Sequence, residues 1–396
     1  MRAIYVSPNG IGSALVRSQV LPYLRLMEGD GVDCALVTFE RDEPYPKGEF
    51  PRSRWVGLVP RRGSGLLAKS IDVATGVLLV TALALRRRAA VLHARSYLPA
   101  AITAVVGALL RRPFVFDMRG FLGEEYVEAG NWAPGDLRYR LLRRVERILL
   151  ARAAAIVVLT HRAEERLRRE PQFEPARVAD ITVIPCGVDL ERFLPKPVRS
   201  PVPTLIYSGT LGMWYLLDEM LGVYARALAL VPGLRFRIVN RNEHQLIHEA
   251  VHRLDVDPGA ILVDGADFGE MPRILADGHV AIALLRQVRS KSGSSPIKIA
   301  EYLACGLPVV VNAELGDTAD FVARYSAGHV VRAFTEGDLD RAADAVAHLI
   351  SDPDARRNAR RLAEREFDVR AGARAYRDIY VRIARGEPRR MTTSRD

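Results

Sequence analysis

Short runs of consecutive apolar residues, many of them β-branched, alternate along this chain with longer stretches in which apolar residues recur every three or four positions. In the first half the short runs are Ala3–Val6, Val32–Thr38, Val91–His93, Phe114–Phe116, Ala155–Leu159 and Ile181–Ile184. In the second half they are Thr204–Tyr207, Arg235–Val239, Ile261–Val263, Val280–Leu284, Pro308–Val311 and His329–Val331. Amphipathic stretches such as Ser18–Met27, Ala100–Leu110 and Leu137–Ala154 separate them. Strands that are apolar throughout are buried on both faces, and strand–helix alternation builds a parallel sheet covered on both sides. The pattern therefore predicts an α/β chain of two Rossmann-like parallel-sheet domains.

Between the halves, Leu194–Pro203 holds four prolines in ten residues. Prolines at that density fit neither a helix interior nor a central strand. They predict a first domain over residues 1–195, a linker over 196–203 and a second domain over 204–370. Residues 371–396 remain for a last helix, Ala371–Arg385, with Tyr376, Ile379 and Tyr380 on one face, and a charged, frayed tail from Glu387. Two such lobes are expected to face each other across a cleft where the carboxyl ends of both sheets meet. A proline-rich hinge there predicts closure over a ligand.

The length of 396 residues suits two domains. With 49% apolar residues the chain can bury full cores, which excludes a disordered protein. The formal charge of +10 favours anionic partners in general: nucleic acid, acidic lipid or phosphorylated substrates. Cys34, Cys186 and Cys305 lack metal-ligand spacing and read as buried thiols in a reducing compartment. The opening Met1–Ser7 lacks an apolar signal core, so a cytoplasmic location is expected. Leu66–Leu85 contains Lys69, Ser70 and Asp72, too interrupted for a bilayer span of about 20 residues, and reads as a helix lying on a sheet. Its flanks, Arg61–Arg62 and Arg86–Arg88, leave room for peripheral contact with anionic lipid. The arginine-rich stretch Arg138–Arg152 reads first as a solvated helix face, with membrane or acidic-acceptor contact as the second reading.

The strongest local chemistry lies in Ser294–Pro308. Two serines and Pro296 precede a helical run, Ile297–Cys305, which Gly306 stops. Ser294 or Ser295 can cap that helix, and Pro296 suits its first turn. Its amide groups then form an anion site to which Lys298 adds charge. Glu301, three residues on and on the same face, is placed to accept hydrogen bonds from ribose hydroxyls. The alternative is an ordinary capped helix with a surface Lys–Glu pair. Asn9–Gly10–Ile11–Gly12 after the first strand is an incomplete dinucleotide fingerprint, equally readable as a tight turn. His244, His248 and His252 recur on one helix face, but with polar neighbours and no further ligand nearby they do not predict a metal site.

The string Ser295-Pro-Ile-Lys-Ile-Ala-Glu-Tyr-Leu-Ala-Cys-Gly-Leu-Pro-Val-Val310 resembles the donor-site motif of the family 4 retaining glycosyltransferases, which have the GT-B fold. Ile184–Asp189 with Phe193 resembles the family's element at the end of the first domain, and Ile206–Thr210 its first donor-domain strand. His93–Tyr97 and Asp117–Gly120 resemble acceptor-domain loops, and the last helix the one that crosses back to the first domain. The resemblance implies a nucleotide-diphosphate sugar as co-substrate, with no cofactor, no metal and no nucleic acid. A glycan, lipid-linked saccharide or small natural product would be the acceptor, bound through His93 and Arg95. Gly10, Gly12, Gly209, Thr210, Ser294, Ser295, Lys298 and Glu301 would contact the donor.

Two departures accompany the resemblance. Gly293 stands where the family's first glutamate is expected, so the donor sugar must be read differently. The loop Gly209–Tyr215 lacks the usual arginine and lysine; Arg289 and Lys291, or Arg241, are expected to replace them. Retaining members of the family attack from the front face without an evident protein nucleophile. Here Asp117 is expected to position the sugar or receive the acceptor's proton, and Arg119 to contact phosphate or an acidic acceptor; a simple capping role for Asp117 remains the alternative. A nucleotide-sugar epimerase of the same fold, a phosphorylase and a non-catalytic basic binding protein are the competing readings.

Overall fold

The computed structural model describes residues 1–40, 45, 48–60, 66–177, 179–197, 201–254 and 256–387. Two units emerge: Met1–Pro185 together with the residues from Arg370 on, and Cys186–Val369.

The first unit is built on seven parallel strands: β1 (Arg2–Ser7), β2 (Asp33–Phe39), β3 (Trp55–Leu58), β4 (Val91–Arg95), β5 (Phe114–Asp117), β6 (Ala155–Val158) and β7 (Ile181–Val183), in the order β3-β2-β1-β4-β5-β6-β7. The second has six: β8 (Thr204–Ser208), β9 (Arg235–Val239), β10 (Ile261–Asp264), β11 (Val280–Ala283), β12 (Val309–Asn312) and β13 (Gly328–Val331), in the order β10-β9-β8-β11-β12-β13. All ladders are parallel. In each sheet the order reverses beside the unit's first strand, between β1 and β4 and between β8 and β11. Connections leave to opposite faces there and open a crevice at the carboxyl ends, the usual place for a ligand in this architecture.

Side-chain alternation divides each core. Leu205 and Tyr207 of β8 enter one apolar layer with Phe236, Ile238 and Ile282, while Ile206 enters the other with Ala281, Val309 and Val311. Each expected strand is present, its ends shifted by at most two residues. The additional strand, β3, is a half-buried edge of four residues whose pattern is too short to stand out. The expected helix Ser18–Met27 is two helices, Ala14–Gln19 and Leu21–Gly29, broken at Val20. Pro22 is the cause: it has no N–H to donate and suits only a first turn.

The helix expected over Leu66–Leu85 runs from Leu66 to Arg87 and packs on β1 and on the Tyr97–Leu110 helix, burying Val80, Leu83 and Ala84. Among the described residues no helix is long and apolar enough to cross a membrane. Arg61 and Arg62 lie outside the described residues.

Residues 186–195, expected in the first domain, cluster instead with the second unit. Val188 N–H donates to the Phe367 carbonyl at 2.7 Å. The Arg360 guanidinium donates to the carbonyls of Leu190, Phe193 and Ala304 at 3.2, 2.8 and 2.8 Å. Proline density marks where regular structure stops, whereas these backbone bonds decide where the segment packs. Of the expected linker, residues 198–200 lie outside the described residues, and the Lys196 carbonyl accepts from Arg356 of the second unit. The chain passes between the units at Pro185–Cys186 and at Val369–Arg370 rather than at the prolines. The last helix, Val369–Ala384, buries Tyr376, Ile379 and Tyr380. Residues 388–396 of the tail lie outside the described residues.

Candidate active site

In the second unit the polar site gathers at the carboxyl end of β8. The helix beginning at Ile297 follows Pro296, and no side chain caps it. The expected serine cap is absent because Ser295 Oγ accepts the Cys186 N–H at 3.2 Å instead, and the Ser294 amide donates to the Lys291 carbonyl at 3.0 Å. The amino end thus keeps amides and a positive dipole end without a side-chain acceptor.

Lys298, the second residue of that helix, lies across the end of β8. Its Nζ donates to the Tyr207 hydroxyl at 2.8 Å and sits 3.6 Å from the Tyr215 ring centre and 4.3 Å from that of Tyr207. Two aromatic faces stabilise a cation that burial would otherwise disfavour. Burial still pushes the Lys298 ammonium well below its ordinary range, with Glu301 and Glu243 opposing the shift. Gly209 takes φ +105, which favours glycine, and a Cβ there would lie 2.9 Å from Lys298 Nζ and displace that ammonium. Thr210 is exposed, and its carbonyl accepts from Tyr207.

Glu301 is buried, and no hydrogen bond to its carboxylate is present among the described residues. Burial raises its pKa from 4.5 to about 7, against the pull of Arg192 and Lys298. The neighbouring Tyr302 is a strut: its hydroxyl accepts the Ser208 N–H at 2.7 Å and fixes the end of β8 to this helix.

The expected cationic substitutes do not act alike. Lys291 is buried with Nζ 3.7 Å from the Trp214 ring centre, so it does enter the site. Arg289 is exposed at the start of the Arg289–Gly293 turn. Arg241 does not turn to the site: it donates to the Ala266 carbonyl at 2.7 Å and ion-pairs with Asp267. Glu243, just ahead of the His244–Arg253 helix, accepts the amides of Leu211 and Gly212 at 2.7 and 2.9 Å and Asn240 Nδ2 at 2.6 Å. Burial works to raise its pKa, but the donated N–H bonds from Gly212 and Leu211 prevail and hold it below the ordinary carboxylate range. The glycine loop's amides are therefore already bonded. Long-range placement of this kind left no signal in the sequence.

In the first unit the polar site lies at the ends of β1, β4 and β5. Asp117 is fully buried. Arg119 NH1 lies 3.3 Å away, His93 Nε2 3.5 Å and Arg95 NH1 3.9 Å, and Tyr376 donates a hydrogen bond at 3.1 Å. Burial would raise its pKa, but Arg119, then His93 and Arg95, overcome this and hold the carboxyl well below the ordinary range. A carboxylate so held is a poor proton acceptor, which corrects the expectation that Asp117 receives the acceptor's proton. Gln19 Oε1 accepts from both Arg95 and Arg119, at 2.7 and 2.9 Å.

His93 is likewise corrected as an acceptor contact. It has no exposed surface, stacks on Tyr5 at 4.1 Å between ring centres, and shares a 2.8 Å hydrogen bond with the Tyr380 hydroxyl. Burial lowers its pKa against the opposing pull of Asp117, with Nδ1 on the Tyr380 side and Nε2 on the Asp117 side. Arg95 is buried beside it, and Arg119 retains slight exposure. Gly10 and Gly12 flank Ile11, whose N–H donates to Glu40 at 3.0 Å. Glu40 thereby braces the loop.

The profile described as Glycosyltransferase Family 4 matches residues 20–192, and that described as Glycosyl transferases group 1 matches residues 202–352. Together they account for both units. The chain is a family 4 glycosyltransferase.

A search of curated protein sequences returns no significant match. Among solved structures this glycosyltransferase is similar to sucrose-phosphate synthase from Thermosynechococcus elongatus, with TM-score 0.73 and 17% identity over 98% of this chain and 100% of that one. It is similar to a glycosyltransferase from Rickettsia africae, with TM-score 0.73 and 14% identity over 98% and 99%. It also resembles HepE from Anabaena, solved with UDP and glucose, with TM-score 0.67 and 16% identity over 96% and 98%. At such identities the likeness shows the GT-B fold alone. No group of three or more His, Cys, Asp or Glu side chains that could hold a metal lies among the described residues. Gly293 closes a tight turn, and both Lys298 and Lys291 approach the Gly209–Tyr215 loop.

Proposed function

We propose that this enzyme transfers a sugar from a nucleoside-diphosphate donor, with retention of configuration, to a glycan, lipid-linked or small-molecule acceptor. The observation that carries this reading is Glu301: a buried carboxylate without a hydrogen-bond donor, one turn behind an uncapped helix start. Its oxygens keep a little access to solvent and no protein donor among the described residues occupies them, so they are open to donors from a ligand, and two ribose hydroxyls are the matching chemistry. The helix amides and Lys298 then face the diphosphate, whose departure needs positive charge more than an acid. Lys291 adds charge where the family's loop cations are missing. Asp117, closed in by two guanidinium forks and two polar rings, orders Arg95 and Arg119 rather than attacking the sugar, which fits front-face departure and return without a protein nucleophile. A nucleoside diphosphate should raise the melting temperature of the wild type and not of Glu301→Ala; equal protection of both would remove this assignment. Retention is tested by the anomeric coupling constant of the product.

The first unit also carries a surface suited to anionic lipid. On the Leu137–Arg152 helix, Leu137, Leu141 and Ile148 are 75%, 48% and 52% exposed, at spacings that share one helical face, with Arg138, Arg140, Arg144 and Arg147 among them. Exposed apolar side chains among arginines are the composition of an interfacial helix. The three thiols are free and buried, in keeping with a cytoplasmic enzyme working at the inner face of a membrane.

A further inference from the structure

Strand β9 reads Arg235-Phe236-Arg237-Ile238-Val239. Phe236 and Ile238 are fully buried in the apolar layer on one face. Strand alternation puts Arg235 and Arg237 on the other. β9 is an interior strand, between β8 and β10. Interior strands of a doubly wound sheet are covered on both faces and are apolar throughout, so two arginines here break the pattern of the fold. Breaks of that kind concentrate at functional sites.

Both arginines line a cavity of about 640 Å³, together with Lys196, Arg273, Asp277 and Thr204. That volume is within the range of small-ligand pockets. Arg237 is held by Asp264 at 2.5 Å. Among the described residues Arg235, Arg273 and Lys196 have no ion-pair partner, and Asp277 is the one acid on the wall. Like charges gathered around a concave surface repel unless an anion joins them, and the low-dielectric wall focuses their field on that anion. The cavity begins at Thr204 and Gly278, at the amino ends of β8 and β11. Gly209 and Lys298 mark the opposite end of β8, about 13 Å along the strand.

We propose that this cavity is a second anion site of the enzyme, separate from the donor site, taking a small ligand with at least two negative charges of the phosphate or diphosphate type. Guanidinium forks on two strand positions and one helix suit the oxygens of such a group better than a single carboxylate. The proposal stands independently of the donor assignment.

The test is calorimetric titration of the full chain with inorganic pyrophosphate, in parallel for wild type, R235A/R273A and Lys298→Ala. The expected result is a binding event retained in Lys298→Ala and weakened about tenfold or more in R235A/R273A. R235Q/R273Q, which keeps side-chain bulk on exposed positions, should lose it equally, separating lost charge from lost folding. Superimposable isotherms for wild type and both double variants would overturn the proposal. So would loss of all pyrophosphate binding in Lys298→Ala, which would assign the anion to the donor site, or binding confined to long polyglutamate, which would make the surface a docking site for acidic protein.

Discussion

Replacing Glu301 by glutamine should stabilise the enzyme at pH 8 while weakening its grip on the donor. Burial raises the folded-state pKa of Glu301 from 4.5 to about 7. The folded protein therefore holds a proton between those values that the unfolded chain has released. Stability falls as pH rises through that window, and above it the ionised carboxylate costs about 3 kcal/mol. Glutamine has the same shape and never ionises, so the cost disappears. For a unit of this size the gain corresponds to a rise in melting temperature of about 6–12 °C at pH 8. The gap should narrow to roughly a few tenths of a kcal/mol as pH approaches 4.5 and close below it, where the wild-type carboxyl is protonated in both states. Loss of a charged acceptor for ribose hydroxyls should weaken nucleoside-diphosphate binding by about 1.5–3 kcal/mol, roughly ten- to a hundredfold. The assay is thermal melting of both proteins from pH 4.5 to 8, with and without nucleoside diphosphate. A Glu301→Gln variant no more stable than wild type at pH 8, or a difference independent of pH, would refute the reasoning.

Three further outcomes follow from the geometry. Gly209→Ala places a Cβ at φ +105 against Lys298 Nζ; thermal melting should show a loss of about 1–3 kcal/mol, with reduced donor turnover, and an unchanged protein would mean the loop relaxes freely. Asp117→Asn leaves Arg95 and Arg119 facing a neutral group and should cost about 3–5 kcal/mol near neutral pH. Because Asp117 is held below its ordinary value of 3.8, its contribution is present above that pH and lost as pH falls through the folded-state value. Acid unfolding followed by circular dichroism should therefore converge for wild type and Asp117→Asn at low pH. L141E/I148E should abolish co-sedimentation with vesicles rich in anionic lipid while leaving soluble-substrate turnover intact; undiminished sedimentation would direct attention away from this helix.

What could be read from the chain was local. Twelve strands announced themselves as continuous apolar runs, since a strand buried on both faces has no polar positions to spare, and their spacing by helical stretches dictates parallel pairing. The Pro296–Gly306 segment exposed the Ile297–Ala304 helix because start, stop and charge all fall within a dozen residues. Short edge strand β3 and the break at Val20 were lost for want of length, although Pro22 marked the second. Tertiary structure alone decided which charges meet. Glu243 reaches the amides of Leu211 and Gly212 across more than thirty positions, and Tyr376 and Tyr380 reach Asp117 and His93 across more than two hundred and fifty. It withdrew His93 and Asp117 from the surface, turned Arg241 toward Asp267, and took Ser295 from the helix cap to Cys186. Local propensity acts over a few residues and can be read in one dimension. Burial, and with it the pKa of Glu301 and the charge state of Lys298, depends on everything folded around a group, so only the assembled sheet and its helices could determine it.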